Sequence, residues 1–219
     1  IRNQGVLLMK YEIIRCDNSD VTDFYLDIIA KSCEKMKCDG KYMITAQVGD
    51  TLKAAKRHEN VIFWVQGIGP EESFMRNHSF LRLWYLSFRE KKALNKADFL
   101  FFVSDYMREH FEHKYKISLP EYKYYVMPCF NTQINKDSFF VHGKYQNNIF
   151  TYIGSMSPWQ GVDRILKLYK EIEQSGLSDC KLEIYTAEQD IAKNKIETIG
   201  IKNYSIGFCP NDDLGKVLG

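Results

Sequence analysis

Two short runs, Val61–Val65 (VIFWV) and Phe99–Val103 (FLFFV), are apolar at every position. A strand with one face in water alternates polar and apolar residues, so runs of this kind belong in sheets covered on both faces. Parallel strands joined by helical crossovers provide that setting. Six further runs have strand character: Tyr11–Arg15, Tyr42–Ala46, Tyr124–Met127 (closed by Pro128), Ile149–Ile153, Leu182–Tyr185 and Tyr204–Phe208. Helical spacing fills most intervals. Asp20 opens a helix to about Lys37, with Phe24, Ile28, Ile29 and Met36 near helical spacing and Gly40 as the stop. Asp50–His58, Glu71 to about Lys96, Ser104 to about Tyr115, Gly161–Gln174 and Gln189–Ile199 follow, and Asn211 or Asp212 opens a last one. The pattern predicts an α/β protein with parallel sheets and helices on both faces, the crossovers sharing one right-handed sense.

At roughly 150 residues per domain, the 219 residues correspond to about one and a half domains. The polar, irregular stretch at about 128–148 reads as a linker, dividing the chain into 1–147 and 148–219. A formal charge of +2 sets up no strong field in favour of nucleic acid or an acidic membrane as the main partner. The longest apolar runs fall far short of the roughly 20 residues that span a bilayer. None of the six cysteines forms a CxxC pair. They read as small buried hydrophobes in a reducing cytoplasm, and no metal site is expected.

In parallel sheets, ligands sit outside the carboxyl ends of the strands, so the loops there hold the candidate residues. In VQGIGPEES (65–73), Gly67 and Gly69 permit close backbone approach. Glu71 and Glu72 either match the helix dipole or stand at a cleft as base or hydroxyl acceptor. Ser104 is accounted for as a helix cap. In YIGSMSPWQG (152–161), a strand ending at Gly154 leads through Ser155 and Ser157 to a helix start, where backbone amides can cradle a diphosphate. Neither GxGxxG nor GxxxxGK[ST] is present. Trp159 either packs on a neighbour or lines the site, and Gln160 offers a neutral donor. The Asn-Asp-Asp run after GFCP reads as a cap, and His110 and His113 as surface residues.

Taken in order, ADFLFFVSDYMREHF, YYVMPCFNT and IFTYIGSMSPWQGVDRILKLY resemble the middle of a retaining glycosyltransferase of group 1, family 4. VQGIGPEES is similar to a loop in the subset associated with bacterial surface polysaccharides. The resemblance covers roughly residues 42–214. It implies the GT-B fold, two Rossmann-like domains of which the second is incomplete here, and transfer of a sugar from a nucleotide-sugar to a polysaccharide or lipid-linked acceptor without metal or other cofactor. It places Gly154, Ser155, Trp159 and Gln160 by the donor and Gly67, Gly69 and Ser104 on the acceptor side or cleft, with Glu71 and Glu72 as the catalytic candidates.

Two positions depart from the family pattern. Ser155 stands where many members carry Arg, and Gln160 where they usually carry Lys. Neutral groups stabilise a leaving diphosphate less than cations do. A non-catalytic GT-B scaffold in a glycan-biosynthesis complex is therefore the second reading. The resemblance implies a cytoplasmic protein. Residues 76–96 combine arginines and lysines with Phe80, Trp84, Leu86 and Phe88, which reads either as a core-facing helix with a solvated rim or as a peripheral contact with the inner face of the membrane.

Overall fold

The computed structural model describes residues 10–14, 20–34, 41–57, 60–129, 143, 146–177, 179–210 and 213. The chain divides into two compact units, Ile1–Asn131 and Thr132–Gly219. Both are α/β and all their strand pairs are parallel.

The first unit carries five strands, β1 (Lys10–Ile13), β2 (Lys41–Thr45), β3 (Asn60–Val65), β4 (Phe99–Phe102) and β5 (Tyr124–Val126), in the order β1-β2-β3-β4-β5. Its helices are α1 (Asp20–Glu34), α2 (Val48–Lys56), α3 (Gly69–Asn77), α4 (Phe80–Lys96) and α5 (Asp105–Tyr115). The two-faced run in β3 is explained directly. Ile62 and Trp64 pack under Leu26, Ile29 and Ala30 of α1. Phe63 and Val65 point the other way, to Ala93 and Leu94 of α4 and Phe111 and Tyr115 of α5. Each large apolar side chain fully buried in this way is worth roughly 1.5–3 kcal/mol, which makes β3 the central stabilising strand. Asp98 ties the end of α4 to it, its Oδ2 accepting from the Val61 amide at 2.8 Å.

Because the strands run in sequence order, the face on which a connecting helix lies sets the hand of its crossover. α2, α4 and α5 share one face and α1 lies on the other. The first crossover therefore has the opposite hand to the next three, and the uniform hand expected from the alternation does not hold.

The single helix expected over Glu71–Lys96 is two. His78 ends α3 in the left-handed region, with φ 51° and its amide bonded to the Phe74 carbonyl. Ser79 then caps α4, its Oγ accepting from the Arg82 amide at 3.4 Å. Other boundaries move by a turn or less: α2 starts at Val48 instead of Asp50, and α3 at Gly69 instead of Glu71. Lys37, Gly40 and His58 lie outside the described residues.

The second unit has β6 (Ile149–Ile153), β7 (Lys181–Tyr185) and β8 (Tyr204–Gly207) in sequence order, joined through α6 (Val162–Gln174) and α7 (Gln189–Ile199). Leu166 and Tyr169 of α6 and Ala192 and Ile196 of α7 pack with Leu182 and Ile184 of β7, so both helices cover one face. The β7 residues on the opposite face form a polar ladder, with Glu183 accepting from Lys181 at 2.7 Å and from the Tyr185 hydroxyl at 3.1 Å. The Lys181 ammonium, foremost, holds the Glu183 carboxyl below its ordinary range. The helix expected after Asn211 or Asp212 lies outside the described residues apart from Asp213.

Cys33 and Cys180 are buried, as small hydrophobes would be, whereas Cys129 is exposed and Cys209 half-buried. Cys16 and Cys38 fall outside the described residues.

The break between α3 and α4 is testable. His78→Gly relieves the left-handed strain and should stabilise the first unit by about 1 kcal/mol. Ser79→Ala removes a cap and should cost about 1 kcal/mol. Urea denaturation reads both changes, and a continuous helix would respond to the glycine with a loss of similar size.

Candidate functional site

A cavity of about 580 Å³ opens at the carboxyl ends of β2 and β3. Its floor is Ala46, Gln47 and Gln66, and the first turns of α2 and α3 form two of its sides. α4 closes it with Arg82, Leu86, Arg89 and Glu90. The helix N-termini bring partial positive charge to the same space as two guanidinium groups. Arg82 donates to the Ser73 hydroxyl at 2.8 Å, and Arg89 lies over the Tyr85 ring at 5.7 Å. Neither arginine is ion-paired with a carboxylate among the described residues.

Gly67, Gly69 and Glu72 line this cavity. Glu72 folds back over its own helix start, Oε1 accepting from the Ile68 amide at 3.2 Å. A Cβ on Gly67 would meet that oxygen at 2.8 Å, so glycine here makes room for the cap. Gly69 meets nothing within 4 Å of a built Cβ, which leaves its side open to the cavity.

Glu71 is aimed elsewhere. Its Oε1 lies 2.6 Å from Lys114 Nζ and 3.7 Å from His110 Nε2, both on α5. Ser104 is engaged as the α5 cap, its Oγ accepting from the Met107 amide at 3.1 Å. It is not among the residues lining the cavity.

The ionisable group that the sequence reading missed is Glu90. It is 2% exposed and lines the cavity. Its Oε2 accepts from the Tyr115 hydroxyl at 2.5 Å and from Lys114 Nζ at 3.2 Å. Burial pushes its carboxyl upward, against the hydrogen bond from Tyr115 and the charge of Lys114, which both pull it down. The Tyr115 hydroxyl is pushed up by burial first and then by its bond to Glu90. A buried carboxyl with a raised pKa at the end of a parallel sheet is a physical marker of a functional site. The signal in the sequence was its spacing: Glu90 stands three and four residues before Ala93 and Leu94, on the stripe that faces the core.

In the second unit, Gly154 takes φ +154°, a conformation L side chains rarely adopt, and a Cβ there would meet the Tyr152 hydroxyl at 3.0 Å. Tyr152 donates to the Ser155 carbonyl at 2.6 Å, holding the loop in its turn. Ser155 and Gln160 are exposed and Trp159 is half-buried. Residues Pro158–Gln160 form a 3-10 turn, and Gly161 starts α6 from the left-handed region at φ 67°. Five of the loop amides are already engaged: Gly154 donates to the Tyr185 carbonyl at 3.1 Å, Gln160 to the Ser157 carbonyl at 3.0 Å and Gly161 to the Pro158 carbonyl at 3.3 Å, and two more donate to side-chain oxygens. The Met156 amide donates to Glu188 Oε2 at 2.6 Å and the Ser157 amide to Ser155 Oγ at 3.4 Å. Glu188 thus sets a carboxylate against the backbone expected to cradle a diphosphate.

No group of three or more histidine, cysteine or carboxylate side chains suited to a metal occurs among the described residues. No helix among them is long and apolar enough to cross a membrane. No protein-family model matches the chain, and no curated protein matches it.

The Glu90 network fixes the sign of a pH response. A carboxyl whose folded pKa is raised contributes stability that is present at low pH and lost as pH rises through the folded value. The stability of the native chain relative to Glu90→Gln should therefore fall as pH rises above the ordinary carboxyl range. Lys114→Met leaves Glu90 buried without its cation and should cost about 3 kcal/mol at pH 7, and less at pH 4, where the carboxyl is protonated. Denaturant titrations at the two pH values read both effects.

Proposed function

We propose that the chain is part of a glycosyltransferase that moves a sugar from a nucleotide-sugar donor to a polysaccharide or lipid-linked acceptor, at the cytoplasmic side of a membrane. The observation that carries the reading is the cavity at the carboxyl ends of β2 and β3. It combines neutral hydrogen-bonding groups (Gln47, Gln66, Ser73), two arginines and a recessed carboxyl, a set suited to a hydroxyl-rich acceptor bearing phosphate. The VQGIGPEES loop that resembles the surface-polysaccharide subset supplies seven of the residues around that cavity, among them Gln66, Gly67, Gly69, Glu72 and Ser73. The resemblance extends to a GT-B arrangement whose second domain takes the donor beside Gly154, Ser155, Trp159 and Gln160. In this reading Arg82 and Arg89 hold acceptor phosphate, Gly69 lets the acceptor approach the backbone, and Glu72 accepts from a sugar hydroxyl. The reaction requires no metal or other cofactor.

One observation favours the scaffold reading. With Ser155 and Gln160 in the donor loop and Glu188 Oε2 on the Met156 amide, that loop brings a negative charge and no cation of its own to the place of the diphosphate.

Titration calorimetry of the chain with a panel of nucleotide-sugars and free nucleoside diphosphates tests the two. The transferase reading expects at least one to bind below millimolar. It also expects Glu188→Gln to tighten nucleoside diphosphate about fivefold, the worth of about 1 kcal/mol for one charge contact in water. No binding by either protein at millimolar ligand removes the donor assignment and leaves the scaffold.

A further inference from the structure

The outward side of α4 carries an apolar surface that none of the described residues covers. Phe80 is 74% exposed, Leu81 84%, Trp84 72% and Phe88 58%. At 100° per residue these four fall within about a third of the helix circumference. Trp84 and Phe88 stack on each other with centroids 6.4 Å apart, which presents them as one continuous plate. The core-facing reading of this helix thus holds only for its other side, where Glu90, Ala93 and Leu94 are buried.

Charge is distributed just as unevenly. α4 contains Arg82, Arg89, Lys91, Lys92 and Lys96, and its one acidic residue, Glu90, is buried on the inner side. Lys91 and Lys92 continue the aromatic side of the helix for a further turn, and Lys96 stands beside it on the flank that faces the α2–α4 groove. A groove of about 610 Å³ runs between α2 and α4, and the described side chains along it include Lys53, Lys56, Arg89, Lys92 and Lys96, with Tyr85 and Phe88; of these cations Lys53 is ion-paired with Asp50 at 2.9 Å. Arg89 and Gly49 line both this groove and the cavity at the strand ends.

We infer that the outward side of α4, with the α2–α4 groove, is a docking surface for an anionic phospholipid bilayer. Phe80, Leu81, Trp84 and Phe88 enter the boundary between headgroups and acyl chains, and the groove cations receive lipid phosphates. An aromatic plate continuous with a cationic groove matches a phase that is apolar inside and anionic at its surface. Nucleic acid would use the cations, but it gives Leu81 and Phe80 no apolar phase to enter. The inference stands independently of the transferase reading, since it requires no donor or acceptor site.

Vesicle co-sedimentation of the intact chain provides the test, with phosphatidylcholine alone and with phosphatidylcholine containing phosphatidylglycerol. Binding to the anionic vesicles only, weakened by salt, is expected. Trp84→Ser with Phe88→Ser should reduce it by about tenfold or more, since each side chain loses its burial in lipid. Lys92→Ala with Lys96→Ala should reduce it about 30-fold, at about 1 kcal/mol per basic residue. All four side chains project from one helix surface, and an unchanged circular dichroism spectrum checks that the variants fold.

Three results would overturn the inference. One is the absence of binding to anionic vesicles. Another is vesicle binding that both variant pairs leave intact. The third is binding to a single-stranded oligonucleotide that survives loss of the aromatic pair while vesicle binding is absent. Nucleotide-sugar binding by calorimetry is read separately, so failure of either proposal leaves the other measurable.

Discussion

Lys114 sits between two carboxylates from different helices, Glu71 of α3 at 2.6 Å and Glu90 of α4 at 3.2 Å. With the Tyr115 hydroxyl on Glu90, this group joins α3, α4 and α5 on the face of the sheet beside the cavity. A buried ion pair of this sort adds little net stability compared with an apolar packing of the same volume, but loss of one member leaves an uncompensated charge. Its consequence is positional. The arginines of α4 and the first turn of α3 reach the cavity from helices that this ammonium group ties together beside the Arg82–Ser73 hydrogen bond and the Phe74–Phe80 ring contact.

The same interaction separates the two neighbouring glutamates. Consecutive helical residues project about 100° apart, so Glu71 and Glu72 cannot serve one site. Glu71 turns to α5 and becomes structural, while Glu72 turns over the helix start and borders the cavity. The pair was named as a unit from the sequence because both stand in the first turn of a helix after a glycine loop. Which of them faces the ligand space depends on Lys114, more than forty positions along the chain.

The parallel strands were legible because their burial is written locally. In Val61–Val65 every position is apolar, and alternate side chains reach α1 or α4 and α5. The break at His78 was hidden because helices most often end on glycine, and here a histidine takes the left-handed position. Ser79 ahead of an apolar run was the available sign. Glu90 was hidden for a different reason. A charged residue in an amphipathic helix ordinarily belongs to its solvated rim, and the partners that bury it, Lys114 and Tyr115, are 24 and 25 positions away. Ser104 was read correctly as a cap from local sequence, while its assignment to a cleft rested on the resemblance alone.

α4 brings these threads together, because its two sides obey different constraints. Its inner stripe packs Ala93 and Leu94, with Ala97 just beyond, against β3 and β4, and it admits a carboxylate where a lysine and a tyrosine meet it. Phe80, Leu81, Trp84 and Phe88 lie on the opposite side and are exposed. An exposed aromatic plate favours self-association in water. The five cations of the same helix oppose that, since two such surfaces brought together repel, while an anionic surface is attracted. The composition of α4 thus discriminates against its own copy and in favour of a partner of opposite charge. The break at His78 gives α4 its own start, separate from α3, so that a helix bordering the cavity with Arg82 and Arg89 can carry this surface on its other side.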